Sequence, residues 1–157
     1  MESNQDLLAS ALSNYDEYKK QLDSGNIKFK KQAGWQFIPV QDILPISYSR
    51  SDWNENTPGF WNHHGKTRED YNALAKQYFS LTYYIINGIP FHYVAKKHPE
   101  LRPGIKLWFN KKDPVSLIQF KNSFFVVSGF HRAAALMQYP SAMVPSIVHE
   151  ARLKNGI

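Results

Sequence analysis

Apolar positions along this chain change their spacing several times, and each change marks an element. Leu7, Leu8, Ala11, Leu12, Tyr15 and Tyr18 recur at intervals of three and four, which predicts an amphipathic helix over 5–22. Asp23, Ser24, Gly25 and Asn26 stop it. Residues 35–40 read as a short strand interrupted by Pro39. From 51 to 66 the periodicity gives way to a polar loop with Trp53, Trp61 and the pair His63 and His64; a loop of that length is expected to be functional or mobile. Tyr71, Leu74, Ala75, Tyr78, Phe79, Thr82 and Tyr83 then restore helical spacing behind the capping residue Thr67, and Asn87 and Gly88 end that helix. A short helix is predicted over 89–97, and a loop over 98–104 on account of its prolines and glycine. The period next shortens to two. Residues 115–120 and 123–127, separated by Lys121 and Asn122, predict a hairpin. A helix over 131–138, a turn at Tyr139, Pro140 and Ser141, and a strand over 143–149 close the pattern.

With 157 residues, 43% of them hydrophobic, the chain holds enough apolar material for one core rather than two. The absence of cysteine excludes disulfides, thiolate nucleophiles and cysteine-based zinc sites. The polar, acidic start lacks the order of a signal peptide, and the longest apolar runs fall short of the ~20 residues of a membrane span. The expectation is a soluble cytoplasmic protein with no membrane partner, delivery as an effector being left open.

The net charge of +6 and pI near 9.4 attract phosphate-rich partners through salt-sensitive electrostatics. The excess is clustered: Lys28, Lys30 and Lys31; Lys96, Lys97 and Arg102; Lys106, Lys111 and Lys112. No cluster is long enough to be a basic tail. The N-terminal helix is open to two readings, an element packed on the domain or a docking element for a protein partner.

The segment that carries chemistry is Ser128, Gly129, Phe130, His131 and Arg132, entered from an apolar strand and followed by Ala133, Ala134 and Ala135. Glycine permits a sharp turn and a close backbone approach. Behind it a helix N-terminus points unpaired N–H groups outward, where His131 and Arg132 add donors and charge, so the five residues outline a phosphate cradle. Against this stands a structural reading: Gly129 as a plain strand-to-helix turn, Arg132 paired with a carboxylate, His131 a satisfied core histidine.

The same residues resemble the ParB/sulfiredoxin superfamily. The strand into Gly129, His131-Arg132 and Ala135, followed by Val144, Pro145, Ser146, Ile147 and Val148, is similar to that family's pattern. Upstream, 40–45 with Arg50 looks like its opening strand and arginine, 68–79 like its first helix, and 113–118 like the strand entering the final hairpin. The resemblance covers roughly 36–150, with 1–35 as an N-terminal helix and lead-in, 81–109 as an insertion and 151–157 as a tail. It implies an α+β fold: one ParB/sulfiredoxin-like domain, a small mixed sheet with flanking helices, an extra N-terminal helix and a helical insertion. Phe130 stands where sulfiredoxin has its catalytic cysteine, so sulfinic-acid reduction is excluded. Partition-type members carry Arg-Arg and a following DNA-binding domain; this chain has His131-Arg132 and runs seven residues past Glu150, so a centromere clamp is not expected.

What the resemblance implies for function is a phosphate-handling domain, foremost a small nuclease acting on DNA, in a toxin or phage-type setting. Ser128, Gly129, Phe130, His131 and Arg132 would hold phosphate, with His131 as general acid or base, Arg132 and Arg50 as charge clamp, and Glu150 among the candidate carboxylates with Asp52, Glu55 and Asp113. Mg2+ or a nucleoside triphosphate would be the cofactor. Two alternatives stand beside it: a nucleotide- or DNA-binding module without turnover, and a kinase-like phosphotransferase. Adjacent His63 and His64 lack the spacing that aims two ligands at one metal, so no metal site is assigned. Trp53, Trp61, Tyr83 and Tyr84 are open to base stacking or to packing.

Overall fold

In the computed structural model, which describes residues 4–50, 52–62 and 65–155, the first periodic segment forms helix α1 (Asn4–Asp23), followed by strands β1 (Ile27–Lys31) and β2 (Gln36–Pro39). A 3-10 turn at Val40–Asp42 and the one-turn helix α2 (Ile46–Ser49) lead into the long loop before α3 (Arg68–Ile86). Helices α4 (Phe91–Lys97) and α5 (Arg102–Trp108) precede a hairpin of β3 (Ser116–Phe120) and β4 (Ser123–Ser128), then α6 (Phe130–Met137) and β5 (Met143–Leu153). His63 and His64 lie outside the described residues.

The sheet is mixed, and β5 is its hub. β1 pairs antiparallel with the second half of β5, from Ile27 opposite Leu153 to Lys31 opposite His149, and β2 pairs antiparallel with the first half, Gln36 opposite Ser146. β3 runs parallel to β5, Ser116 opposite Ile147, and antiparallel to β4. A parallel pair needs a crossover, and β4 with α6 supplies it. Beyond β4 the chain around Ile43 adds a parallel bridge to Phe124, with Leu44 N–H donating to the Phe124 carbonyl at 2.9 Å. The fold class is α+β, as the sequence predicts.

Period-two alternation splits the apolar residues between two layers. Leu117, Phe124, Val126, Val144 and Val148 face the core shared with α3, α5 and α6. Phe120, Phe125 and Ala151 face the opposite side, where α1 covers them with Tyr18, Tyr15, Leu12 and Leu8. Asn14 fastens α1 to the hairpin turn, its amide donating to Ser123 Oγ at 2.8 Å and Asn122 Oδ1 at 3.2 Å. The helix is therefore a packed layer of this domain.

Three local expectations are corrected. The lysine-rich lead-in at 27–31 is a strand: its only buried residue is Ile27, so its pairing with β5, not its apolar pattern, makes it one. Lysines on such an edge discourage pairing with other chains. The last strand reaches Leu153 rather than ending at His149, because Ala151 and Leu153 find partners in Phe29 and Ile27. Within the predicted loop 98–104, residues 99–104 are helical: Pro99 opens a 3-10 turn, and Pro103 sits in the first turn of α5, where a missing N–H costs nothing. Gly104 lets α5 approach α3 closely, since a Cβ there would stand 2.8 Å from Gln77 Oε1. Thr67 caps α3 as expected, in a reciprocal box with Asp70. Among the described residues no helix is long and apolar enough to cross a membrane.

Tyr78 links the two ends of this core. Its hydroxyl donates to the Met143 carbonyl at 2.5 Å, and burial pushes its pKa up to about 12. The neutral phenol is favoured in the folded state, so its contribution is full below the unfolded pKa near 10 and lost as pH rises through about 12. Chemical denaturation at pH 9 to 12 is expected to show a fall in stability in the wild type of up to about 3 kcal/mol beyond that seen in Tyr78→Phe. Equal pH profiles for the two proteins would refute the assignment.

Candidate functional site

β4 hands over to α6 at Gly129, which adopts φ +80 and ψ 37 as the helix N-cap. Two constraints demand glycine there. The left-handed backbone disfavours any β-carbon, and a Cβ would stand 2.9 Å from Val115 Cγ2, 3.0 Å from Val115 Cα and 3.1 Å from Arg132 Nη2. Ala133, Ala134 and Ala135 are buried behind it, small enough to seat α6 against the sheet and α3.

The opening turn of α6 looks into a cavity of about 700 Å3. Arg50 and Trp53 come to it from the segment after α2, Lys66 from just before α3 and Tyr71 from its first turn, Lys106 and Leu107 from α5, and Asn110 and Asp113 from the turn before β3. Ser128, Gly129, Phe130, His131 and Arg132 complete the lining, so all five residues of the expected cradle, with Arg50, meet in one place. Arg50 lies over the Phe130 ring, its guanidinium carbon 5.0 Å from the centroid, a cation–π contact that holds it at the mouth of α6.

The two side chains expected to do the chemistry are both committed to the protein. Arg132 is 8% exposed. Its Nη1 donates to the Asp113 carbonyl at 2.7 Å and the Leu107 carbonyl at 3.2 Å, and its Nη2 lies 3.5 Å from Asp113 Oδ1. Burial pushes its pKa below the ordinary value while Asp113 opposes the shift; the guanidinium remains charged at any ordinary pH. His131 is 9% exposed and stacks on Phe60 at 4.3 Å and on Tyr71 at 5.8 Å. Its Nε2 is 2.7 Å from the Phe60 carbonyl. A carbonyl only accepts, so Nε2 carries the proton and donates it. In this state His131 clamps the 52–62 loop onto α6, and its Nε2 is not placed to exchange a proton with a ligand.

Glu150 does not belong to the site. It lies on β5 opposite Lys30 and Gln119, outside the cavity lining, where it accepts from Arg152 Nε and Gln32 Nε2, each at 2.7 Å. The hydrogen bond from Arg152 holds its carboxyl below the usual range. Asp52 is exposed and does not line the cavity. Glu55 lines a separate recess of about 160 Å3 with Trp61 and Arg68. Asp113 is the one candidate carboxylate at the cavity. Among the described residues no group of three or more His, Asp or Glu is placed to hold a metal.

Of the aromatic residues considered for stacking, Trp53 lines the cavity. Trp61 packs on Phe60, Tyr71 and Arg68, Tyr84 packs against His98, and Tyr83 is exposed on α3. Sequence reasoning passed over Lys66, and placed Tyr71 in a helical apolar stripe and Lys106 in a basic cluster without connecting either to the glycine turn. The available signal was the four-residue interval from Arg102 to Lys106, but only had 102–108 been read as a helix.

No family model, no curated protein and no solved structure matches this chain.

Two variants probe this construction. Gly129→Ala is expected to destabilise by about 2 kcal/mol or more, from the left-handed backbone and the Val115 contact together. Arg132→Met is expected to cost about 2–4 kcal/mol, because the Leu107 and Asp113 carbonyls lose a charged donor. Both are read as a lower denaturation midpoint, and wild-type stability in either would contradict the packing described.

Proposed function

We propose that this domain binds the phosphate of a nucleotide or of a nucleic-acid chain in the cavity at the start of α6, as a binding module without turnover. The observation that carries the reading is charge. Arg50, Lys66, Lys106 and Arg132 surround the cavity, whose lining holds one carboxylate, Asp113, itself facing Arg132. A helix N-terminus opening on the same space adds its oriented N–H groups, and the combination favours an anion with several oxygens. The half-buried Trp53 on the wall suits a ligand that carries a flat ring beside its phosphate.

Binding requires placed charge and donors, and no group that moves a proton. That is why the geometry favours it over the nuclease expectation, which assigned general acid or base work to His131. The Nε2 of that ring is held by the Phe60 carbonyl. Kinship with the ParB/sulfiredoxin superfamily is part of the proposal. It is supported by the order strand, left-handed glycine, helix, strand, and by the parallel return of β5 beside β3.

Fluorescence polarisation with labelled nucleoside di- and triphosphates and with a dinucleotide tests the reading. Saturable binding is expected, weakening as salt rises. Lys66→Ala and Lys106→Ala should each weaken it on the order of tenfold, the scale of one charge-assisted hydrogen bond. Unchanged affinity in both variants would count against the cavity. Incubation with plasmid, RNA and nucleoside triphosphates, with Mg2+ or chelator, is expected to give no product; a product lost in Lys66→Ala would replace the binding module with an enzyme.

A further inference from the structure

The basic lining of the cavity continues past its rim. Residues 91–113 hold six lysines and arginines against two carboxylates, so four of the chain's six net positive charges fall in this one segment. Arg102 and Lys106 stand four residues apart on α5 and share a face, about 6 Å apart along the axis; Lys106 lines the cavity. Lys111 and Lys112 follow in the turn between Asn110 and Asp113, and those two flanking residues line the cavity as well. The turn is ordered by Asn110 Oδ1, which accepts the Lys112 N–H at 3.0 Å. All four basic side chains are exposed, and among the described residues none of them is ion-paired.

A free nucleotide would occupy the cavity and leave this row of charge facing water. A chain of regularly spaced phosphates meets both. From this continuity, and resting on the phosphate-binding reading above, we infer that the ligand is a single-stranded nucleic acid, one phosphate in the cavity and its backbone running across α5 and the 109–113 turn. The strand is single because the recess is walled by the half-buried rings of Trp53 and Phe130. Unpaired bases can enter and stack there, whereas a duplex keeps its bases paired and its rings covered. Arg102 and Lys106 take successive backbone phosphates, and Lys111 and Lys112 hold the strand at the opposite rim.

Affinities of a dinucleotide, a single strand of about 12 nucleotides and the matching duplex separate the possibilities, the longer probe lying within ordinary single-strand site sizes. The single strand is expected to bind at least about tenfold tighter than the dinucleotide. The double charge reversal Lys111→Glu with Lys112→Glu should bring its affinity down towards the dinucleotide's and reduce the salt slope by about 1.4, two phosphate contacts' worth. Thermal melting checks that this surface variant is folded, and neutral Lys111→Gln with Lys112→Gln should show a smaller loss in the same direction. Arg50→Ala should weaken the dinucleotide and the single strand alike. Equal affinity for dinucleotide and single strand, or indifference to the charge reversal, overturns the continuous track while leaving the cavity reading in place. Duplex bound as tightly as single strand overturns the single-strand assignment. A single strand that binds regardless of Arg50, with no dinucleotide binding, refutes the cavity reading itself and the strand path with it.

Discussion

The guanidinium of Arg132 is the constraint around which the site is built. A buried cation without partners is strongly destabilising, so its neighbours must supply acceptors, and they come from two other parts of the chain: the Leu107 carbonyl in the last turn of α5 and Asp113 ahead of β3. Once those bonds form, the ends of α5 and α6 and the entry of β3 are fixed relative to one another. Gly129 belongs to the same arrangement, because any β-carbon there would crowd both Val115 and Arg132 Nη2. The glycine and the arginine thus act as one unit, the first leaving the space that the second fills.

Division of labour within the site follows from that unit. Arg132 and His131 are spent largely on architecture, one drawing in α5, the other clamping the loop through the Phe60 carbonyl. The cations left at the surface, Arg50, Lys66 and Lys106, arrive on segments that these two side chains hold in place or that pack beside them. A phosphate in the cavity would meet Lys66 and Lys106 backed by the buried charge of Arg132.

The sheet supports this end of the molecule by a different means. β5 accepts β1 and β2 as antiparallel partners and β3 as a parallel one, and the parallel pairing obliges the chain to cross over through β4 and α6. The crossover is what brings the glycine turn beside the entry of β3, where Asp113 and Val115 wait. On the far face α1 seals Phe120 and Phe125, so the strands carry apolar residues on both sides.

Short-range physics was readable directly. The Thr67 cap, the hairpin about Lys121 and Asn122, the glycine-led start of α6 and the stripe of α3 each depend on residues a few positions apart, and all took the expected form. The α+β class was implied by the family resemblance, and the helices and mixed sheet have it. What tertiary structure decided was whatever depends on partners distant in the chain. β1 is a strand only because β5 lies beside it. Pro99 and Pro103 open helical turns because their neighbours pack there. Glu150 lies along the sheet rather than at the cavity, and His131 is bound to a carbonyl 71 residues away. Lys66 and Lys106 become neighbours of Gly129 only when α3 and α5 fold over it. Local sequence sets the conformations open to each segment; the burial of one charge and the pairing of one central strand determine which side chains meet.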